Sequence, residues 1–422
     1  MALSNLSRRI SSARKTSVLK QYWKGTQRTI PPAITVRKIM PLTKKFGITR
    51  IANVTGLDWL GLPVVMVCRP NSRSLSVSQG KGLTLDAAKA SGLMESIELY
   101  HAEHISLPMQ KGSFHHIATR FNVVSIERLP YVNWLQHKPD RELLWVEGHD
   151  LIGDQPIWIP YECVTADTVS HHLPGQSCFG MSSNGLASGN HLLEAIVHAI
   201  CEVVERDATT LWFLCDLQVA KSSWVDIESW KEPEIKQLIA QFHKSGIQTL
   251  VWNITSDVGI PTFFCLLHEG ASDPSRLVYT SSGMGCHLSA DIALLRAITE
   301  AAQSRLTLIA GARDDMFRDQ YEPSRFRHSD LLEYCSLRAS GKVKKFSRPS
   351  SSLDGNTFNA DLELILGRLK TVGIEQVIVI PLTGPELPYQ VVKVLIPGLE
   401  AHDDHPLYCP GPRAHRMSKL VQ

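Results

Sequence analysis

The chain has 422 residues, 43% hydrophobic and 20% charged, with a formal net charge of +3, which excludes a disordered or fibrous chain and implies a sizeable core. No run of about 18 apolar residues occurs, so no membrane-spanning helix is expected. The nine cysteines are odd in number and form no CxxC pair, which points to a reducing, cytoplasmic setting rather than a disulfide framework or zinc site.

Residues 1–28 are basic and Ser-rich and read as a flexible leader; their composition also resembles a transit peptide, but nothing marks a cleavage site. Residues 1–57 contain twelve Lys or Arg and no Asp or Glu, so the rest of the chain is net acidic. After Pro31–Pro32, residues 33–60 read as a helix and a short strand, 62–69 as a buried strand and 74–78 as a second strand. Gly80-Lys81-Gly82 reads as a turn, and Thr84 caps a helix to about His104. The same grammar recurs twice. A turn cluster at 182–185 precedes Gly189 and Asn190, which open a helix to about Phe213. Gly283-Met284-Gly285 reads as a turn before Ser289 caps a helix to about Ala310. Strand-like runs lie at 249–254, 262–267, 376–381 and 389–396. Residues 316–360 read as a mobile insertion or surface helices, and the chain after Pro397 reads as loop. The fold class is α+β, with similar subdomains facing one cleft. The expected division is a leader over 1–28, a catalytic domain over 29–415 with its core at 60–400, and a tail over 416–422.

Each of the three helices carries two acid or amide groups three residues apart: Glu95 and Glu98, Glu202 and Glu205, Glu300 and Gln303. Ser91, Glu95 and Glu98 share one stripe of the first helix; Glu194, Glu202 and Glu205 share one of the second. Solvated acidic faces set Lys or Arg three or four residues away. The first helix has His as its only basic partner over 91–105, and the second has none until Arg206. These helices are also too apolar to be mostly exposed. Two readings stay open on chemistry alone: a solvated face, or carboxylates that hold a divalent cation and phosphates. Lys81, between glycines, and Arg206, Arg296 and Arg305 are candidate phosphate partners. No GxxxxGK[ST] loop and no GxGxxG after a strand is present, so a nucleotide would sit in an acidic helical cradle.

The segments RPNSRSLSVSQGKGLT (69–84), SGLMESIE (91–98), SSNGLASGN (182–190), EAIVHAICEVVERDA (194–208), ALLRAITEAAQSRL (293–306) and VVKVLIPGLE (391–400) resemble the YcaO family. Within it they resemble the stand-alone members associated with TfuA, and the likeness spans about residues 30–415. The resemblance implies a YcaO-type α+β fold with several αβ subdomains around one ATP and Mg2+ cleft. It implies an enzyme that phosphorylates a peptide amide oxygen so that a nucleophile can attack the activated carbon. Carried over by motif, Glu202, Glu205 and Arg206 would be catalytic. Lys81, Ser91, Glu95, Ser183, Asn184, Glu194, Arg206, Gln303 and Arg305 would bind the nucleotide, and Glu95, Glu98, Glu202, Glu205, Glu300 and Gln303 the metal.

Two departures shape the expected product. Leu99 stands where many members have Arg. Pro410 and Pro412 are followed by Arg413, and not by the Pro-x-Pro-x-Pro run of many azoline-forming members. Thioamide formation with a TfuA-like sulfur-delivery partner on a peptide or protein substrate is therefore expected. The alternatives are an azoline-forming cyclodehydratase of Cys, Ser or Thr, or a non-catalytic helper of a ribosomal-protein methylthiotransferase. Related proteins are often dimers, so the resemblance allows a homodimer, but the sequence does not fix the oligomeric state. Nucleic-acid binding is disfavoured, because residues 1–28 interleave only Tyr22 and Trp23 among their cations. Cys286, just before the third helix, is read as packing rather than as a sulfur carrier.

Overall fold

The computed structural model describes residues 4–129, 140–169, 179–215, 223–269, 280–316, 353–400 and 408–420. In chain order the elements are α1 (Asn5–Lys15), β1 (Gln21–Tyr22), β2 (Gln27–Arg28), α2 (Pro32–Ile39), β3 (Arg50–Asn53), β4 (Val64–Cys68), β5 (Val77–Lys81), α3 (Leu85–Glu103), β6 (Met109–Gly112) and α4 (Phe114–Ala118). There follow β7 (Leu143–Asp150), β8 (Gln155–Pro160), β9 (Leu186–Gly189), α5 (Leu192–Phe213), α6 (Pro233–Lys244), β10 (Ile247–Asn253), β11 (Thr262–Glu269) and β12 (Thr280–Cys286). The last are α7 (Ala290–Ala310), α8 (Phe358–Thr371), β13 (Ile378–Pro381), β14 (Gln390–Leu395) and α9 (Pro412–Leu420). The class is α+β, as expected. Most of the expected insertion at 316–360 lies outside the described residues.

A central sheet runs β6-β7-β13-β14-β9, with β8 paired to β7. Alternation sends its side chains to opposite faces. Ile378, Ile380 and Val391 pack with α3 on one face, and Val379, Val392 and Val394 pack with α5 and α8 on the other. Two three-stranded sheets, β3-β4-β5 and β10-β11-β12, lie against α3 and α7.

The three expected helices form as α3, α5 and α7, and Thr84 accepts from Ala87 N as the cap of the first. The glycines before them have another role than the expected turns. Gly80 is inside strand β5 and Gly283 inside strand β12. A Cβ on Gly80 would lie 2.0 Å from the Ala88 carbonyl, and one on Gly283 2.2 Å from Ala301 N. The glycines let a strand press its backbone onto the helix that follows. This contact fixes each acidic helix to its own strand.

The expected flexible leader is corrected for its described part. Ser4 Oγ caps α1, and Ile10 is fully buried with the α5 core. The basic side chains of this segment meet the acidic later part of the chain. Lys20 Nζ lies 2.5 Å from Asp361 and 3.3 Å from Asp354, and Arg14 lies 2.8 Å from Glu363. The stretch after Pro397, read as loop, contains α9. Among the described residues no helix is long and apolar enough to cross a membrane.

Candidate functional site

The β5–α3, β9–α5 and β12–α7 units bring Glu95, Glu98, Glu202, Glu205 and Glu300 within electrostatic reach of one another. Lys81, at the end of β5, donates to Glu300 Oε2. Glu300 Oε1 also accepts from Met284 N at 3.3 Å, and Glu205 Oε2 from Cys286 N at 2.9 Å. Ser188 Oγ on β9 donates to Glu98 Oε1 at 2.5 Å. Arg206 Nη2 lies 3.9 Å from Glu205 Oε1, and its Nη1 lies 3.5 Å from Met284 Sδ. The strands that seat the helices thus also orient their carboxylates.

Burial and crowding raise these acids. Glu95 is pushed up to about 7 by burial, against Lys81 and Arg313. Glu202 is pushed up to about 7 by burial, against the Arg206 guanidinium. Burial lifts Glu98 well above the carboxylate range, and burial with Glu300 lifts Glu205. Glu300 is the exception: burial works against it, but Lys81 and Arg206 hold it below its ordinary value. A bound cation would relieve the other four.

The donor set fits magnesium, which takes oxygen ligands and shares its shell with water and phosphate. Two further oxygens, Gln303 Oε1 and Asn184 Oδ1, are buried without a hydrogen-bond partner. Among the described residues, no three His, Cys, Asp or Glu already close into a metal cage. The open arrangement suits a metal held jointly with a phosphate chain.

Ser91 is half-buried one turn before Glu95; Ser183 is exposed, and Asn184 N donates to Ser182 Oγ at 3.0 Å. Two of the expected nucleotide contacts have partners within the chain. Arg305 lies in a buried ion network: its Nε lies 2.7 Å from Asp58 and its Nη2 2.9 Å from Glu269, all buried. Glu194 anchors the N-terminal segment, accepting from Thr29 N at 3.0 Å and Thr29 Oγ1 at 2.7 Å. Cys286 is fully buried, and burial and the Cys201 thiol push its thiol up, away from a reactive thiolate.

The sequence reading missed two cations. Arg28 lies 3.6 Å from Glu194 and within reach of Glu98 and Arg296. No spacing rule links it to the acidic helices; its one signal was Arg-Thr just before a proline-capped helix. Lys393 is buried on β14, donates to the Ser182 carbonyl, and is pulled down to about 8 by burial, against Glu202 and Cys163. A lysine amid the apolar run of 391–396 was a legible sign.

Comparison with known proteins gives the same reading. Residues 79–400 match the family model described as YcaO cyclodehydratase, ATP- and Mg2+-binding. A protein of Rhizobium leguminosarum bv. trifolii, described as uncharacterized and in the tfuA 3' region, is 36% identical over 88% of this chain and 88% of its own. An uncharacterized protein of Methanothermobacter thermautotrophicus is 31% identical over 89% of this chain and 96% of its own. The YcaO of Methanopyrus kandleri, bound with AMPPCP and Mg2+, superposes with a TM-score of 0.71 at 20% identity, over 94% of this chain and 98% of that one. A heterocyclase in complex with substrate and cofactor superposes with a TM-score of 0.72 at 22% identity, over 94% of this chain. This chain spans 55% of that heterocyclase's length. ATP and Mg2+ are the cofactors, and the chain belongs to the YcaO family of ATP-dependent peptide-modifying enzymes.

Proposed function

We propose that this chain activates a backbone amide of a peptide by phosphorylation and directs it to a thioamide, with a TfuA-like partner delivering sulfur. The observation that carries the sulfur assignment is the relative from the tfuA 3' region, similar over 88% of both chains.

An amide oxygen is a poor leaving group. Transfer of a phosphoryl group from ATP turns it into phosphate, and a sulfide sulfur attacking the carbon expels that phosphate and leaves a thioamide. When bound, Mg2+ neutralises charge on the transferring phosphoryl group. Glu95, Glu98, Glu202, Glu205 and Glu300 would hold the metal, with Gln303 adding a neutral oxygen. Lys81 and Arg206 lie among these acids and would meet the phosphates, with Arg28 and Arg296 as further cations near Glu98 and Glu205. Leu99 stands where the family pattern expects a cation, and Arg28, within electrostatic reach of Glu98, would supply a cation to that acid.

The test combines purified protein, a TfuA-like partner, ATP, Mg2+, sulfide and candidate peptides. The expected product carries the mass gain of one oxygen-to-sulfur exchange. The family description and the heterocyclase likeness favour a second reading, azoline formation. Loss of one water without added sulfide would select it. Nucleotide binding with no peptide change would select the helper role.

A further inference from the structure

We propose that Arg413 is a positioning residue of the nucleotide site, acting through Asp207 to hold the turn of α5 that carries Glu205 and Arg206. This rests on the reading of α5 as a metal–nucleotide helix. Asp207 follows Arg206 directly, so the two side chains leave the helix about 100° apart. Glu205 and Arg206 face β12, through Cys286 N and Met284 Sδ. Asp207 faces the C-terminal segment and is fully buried.

There Arg413 grips it as a fork. Arg413 Nε lies 2.9 Å from Asp207 Oδ1 and Nη2 2.9 Å from Oδ2. The same guanidinium reaches Asp257, with Nη1 3.3 Å from Oδ2. Glu400 N donates to Asp207 Oδ1 at 2.9 Å. The Glu400 carboxylate in turn accepts from Gly411 N at 2.9 Å, Ala414 N at 2.8 Å and Tyr408 Oη at 2.8 Å. The segment around Arg413 is therefore stapled at both ends of the fork. Glu400 and Arg413 are themselves buried, which shields the contact from water. A planar fork on a buried carboxylate fixes orientation as well as charge. Without it, Asp207 regains solvation by turning the helix or fraying this turn, and Glu205 and Arg206 move with it.

The experiment titrates Mg2+ with the non-hydrolysable analogue AMPPCP into the full chain and into four variants, below the melting temperature of each. R413A is expected to bind about tenfold more weakly or worse, as removal of a ligand-orienting partner does at metal sites. R413K, which keeps the charge and loses the fork, is expected to fall between R413A and the unaltered protein. Added guanidinium ion is expected to restore R413A, a recovery that general destabilisation would not give. R416A alters an exposed neighbour on α9 and is expected to bind normally. A folded R413A with unaltered affinity overturns the proposal. Where R413A does not fold, R413K decides: unaltered affinity overturns it, and weakened affinity supports it. E202Q separates the two claims. If E202Q binds normally, the reading of the site has failed; if E202Q is weakened and both Arg413 variants bind normally, only the positioning role has failed.

Discussion

Glu95 and Glu202 are pushed up to about 7 by burial, from an ordinary value of 4.5, and Glu98 and Glu205 are raised as well. Between about pH 4.5 and 7 these four carboxylates therefore hold more protons in the folded chain than in the unfolded chain. Their contribution to the stability of the ligand-free protein falls as pH rises through that window, while the depressed His198 and His287 act in the opposite sense below their ordinary value. Binding of Mg2+ and nucleotide requires the ionised forms, so Glu95 and Glu202 release protons on binding near pH 6 and are already ionised above pH 8. Calorimetry in buffers of different ionisation enthalpy measures this, and equal proton release at both pH values would contradict it. At the same scale, Glu202→Gln removes one of several repelling carboxylates. Its ligand-free Tm is expected to rise while Mg2+-dependent ATP turnover falls by about a hundredfold or more. A thermal melt beside a turnover assay checks both signs. Individual residues were the least legible part of the sequence. Glu202 and Arg305 both sit on apolar helices beside acids. Which way each points is decided by partners far along the chain, such as Asp58 for Arg305.

At the scale of elements, the three acidic helices were legible because each is long, apolar and opened by a cap or a Gly-rich stretch. Their seating was not. A Gly-x-Gly run looks the same whether it turns the chain or lets a strand touch a helix, and only the Cβ clearance separates the two. The clearance also makes a prediction. At Gly283 a methyl group would meet Ala301 N at 2.2 Å and the Ala297 carbonyl at 2.5 Å, backbone on both sides with no side chain to yield. Gly283→Ala is expected to destabilise by about 1–3 kcal/mol or more, as overpacking does. Urea denaturation measures it, and an unchanged midpoint would show that β12 and α7 are not held in this contact.

Across the whole molecule, the charge asymmetry of the sequence is resolved by folding. The acid-free first part of the chain lies against acids from 354–363 and against Glu194, so part of its positive charge is spent inside the protein. The leader reading failed because its buried residues, such as Ile10, are sparse and their partners are remote in sequence. Lys20 and Asp361 are nearly inaccessible, with side chains 3% and 1% exposed. Lys20→Met leaves a buried carboxylate short of its cation and is expected to cost about 3–5 kcal/mol. Deleting residues 1–28 is expected to lower the Tm sharply, and an unchanged Tm would restore the picture of a free leader.

The central claim is that carboxylates from α3, α5 and α7 hold ATP through Mg2+. One comparison tests it most directly: AMPPCP affinity, with and without Mg2+, in the unaltered chain and in Glu98→Gln, Glu202→Gln and Glu300→Gln, one from each helix. Tight binding only with Mg2+, weakened about tenfold or more by each substitution, is the predicted result. Affinity that ignores Mg2+, or survives all three substitutions, would contradict it.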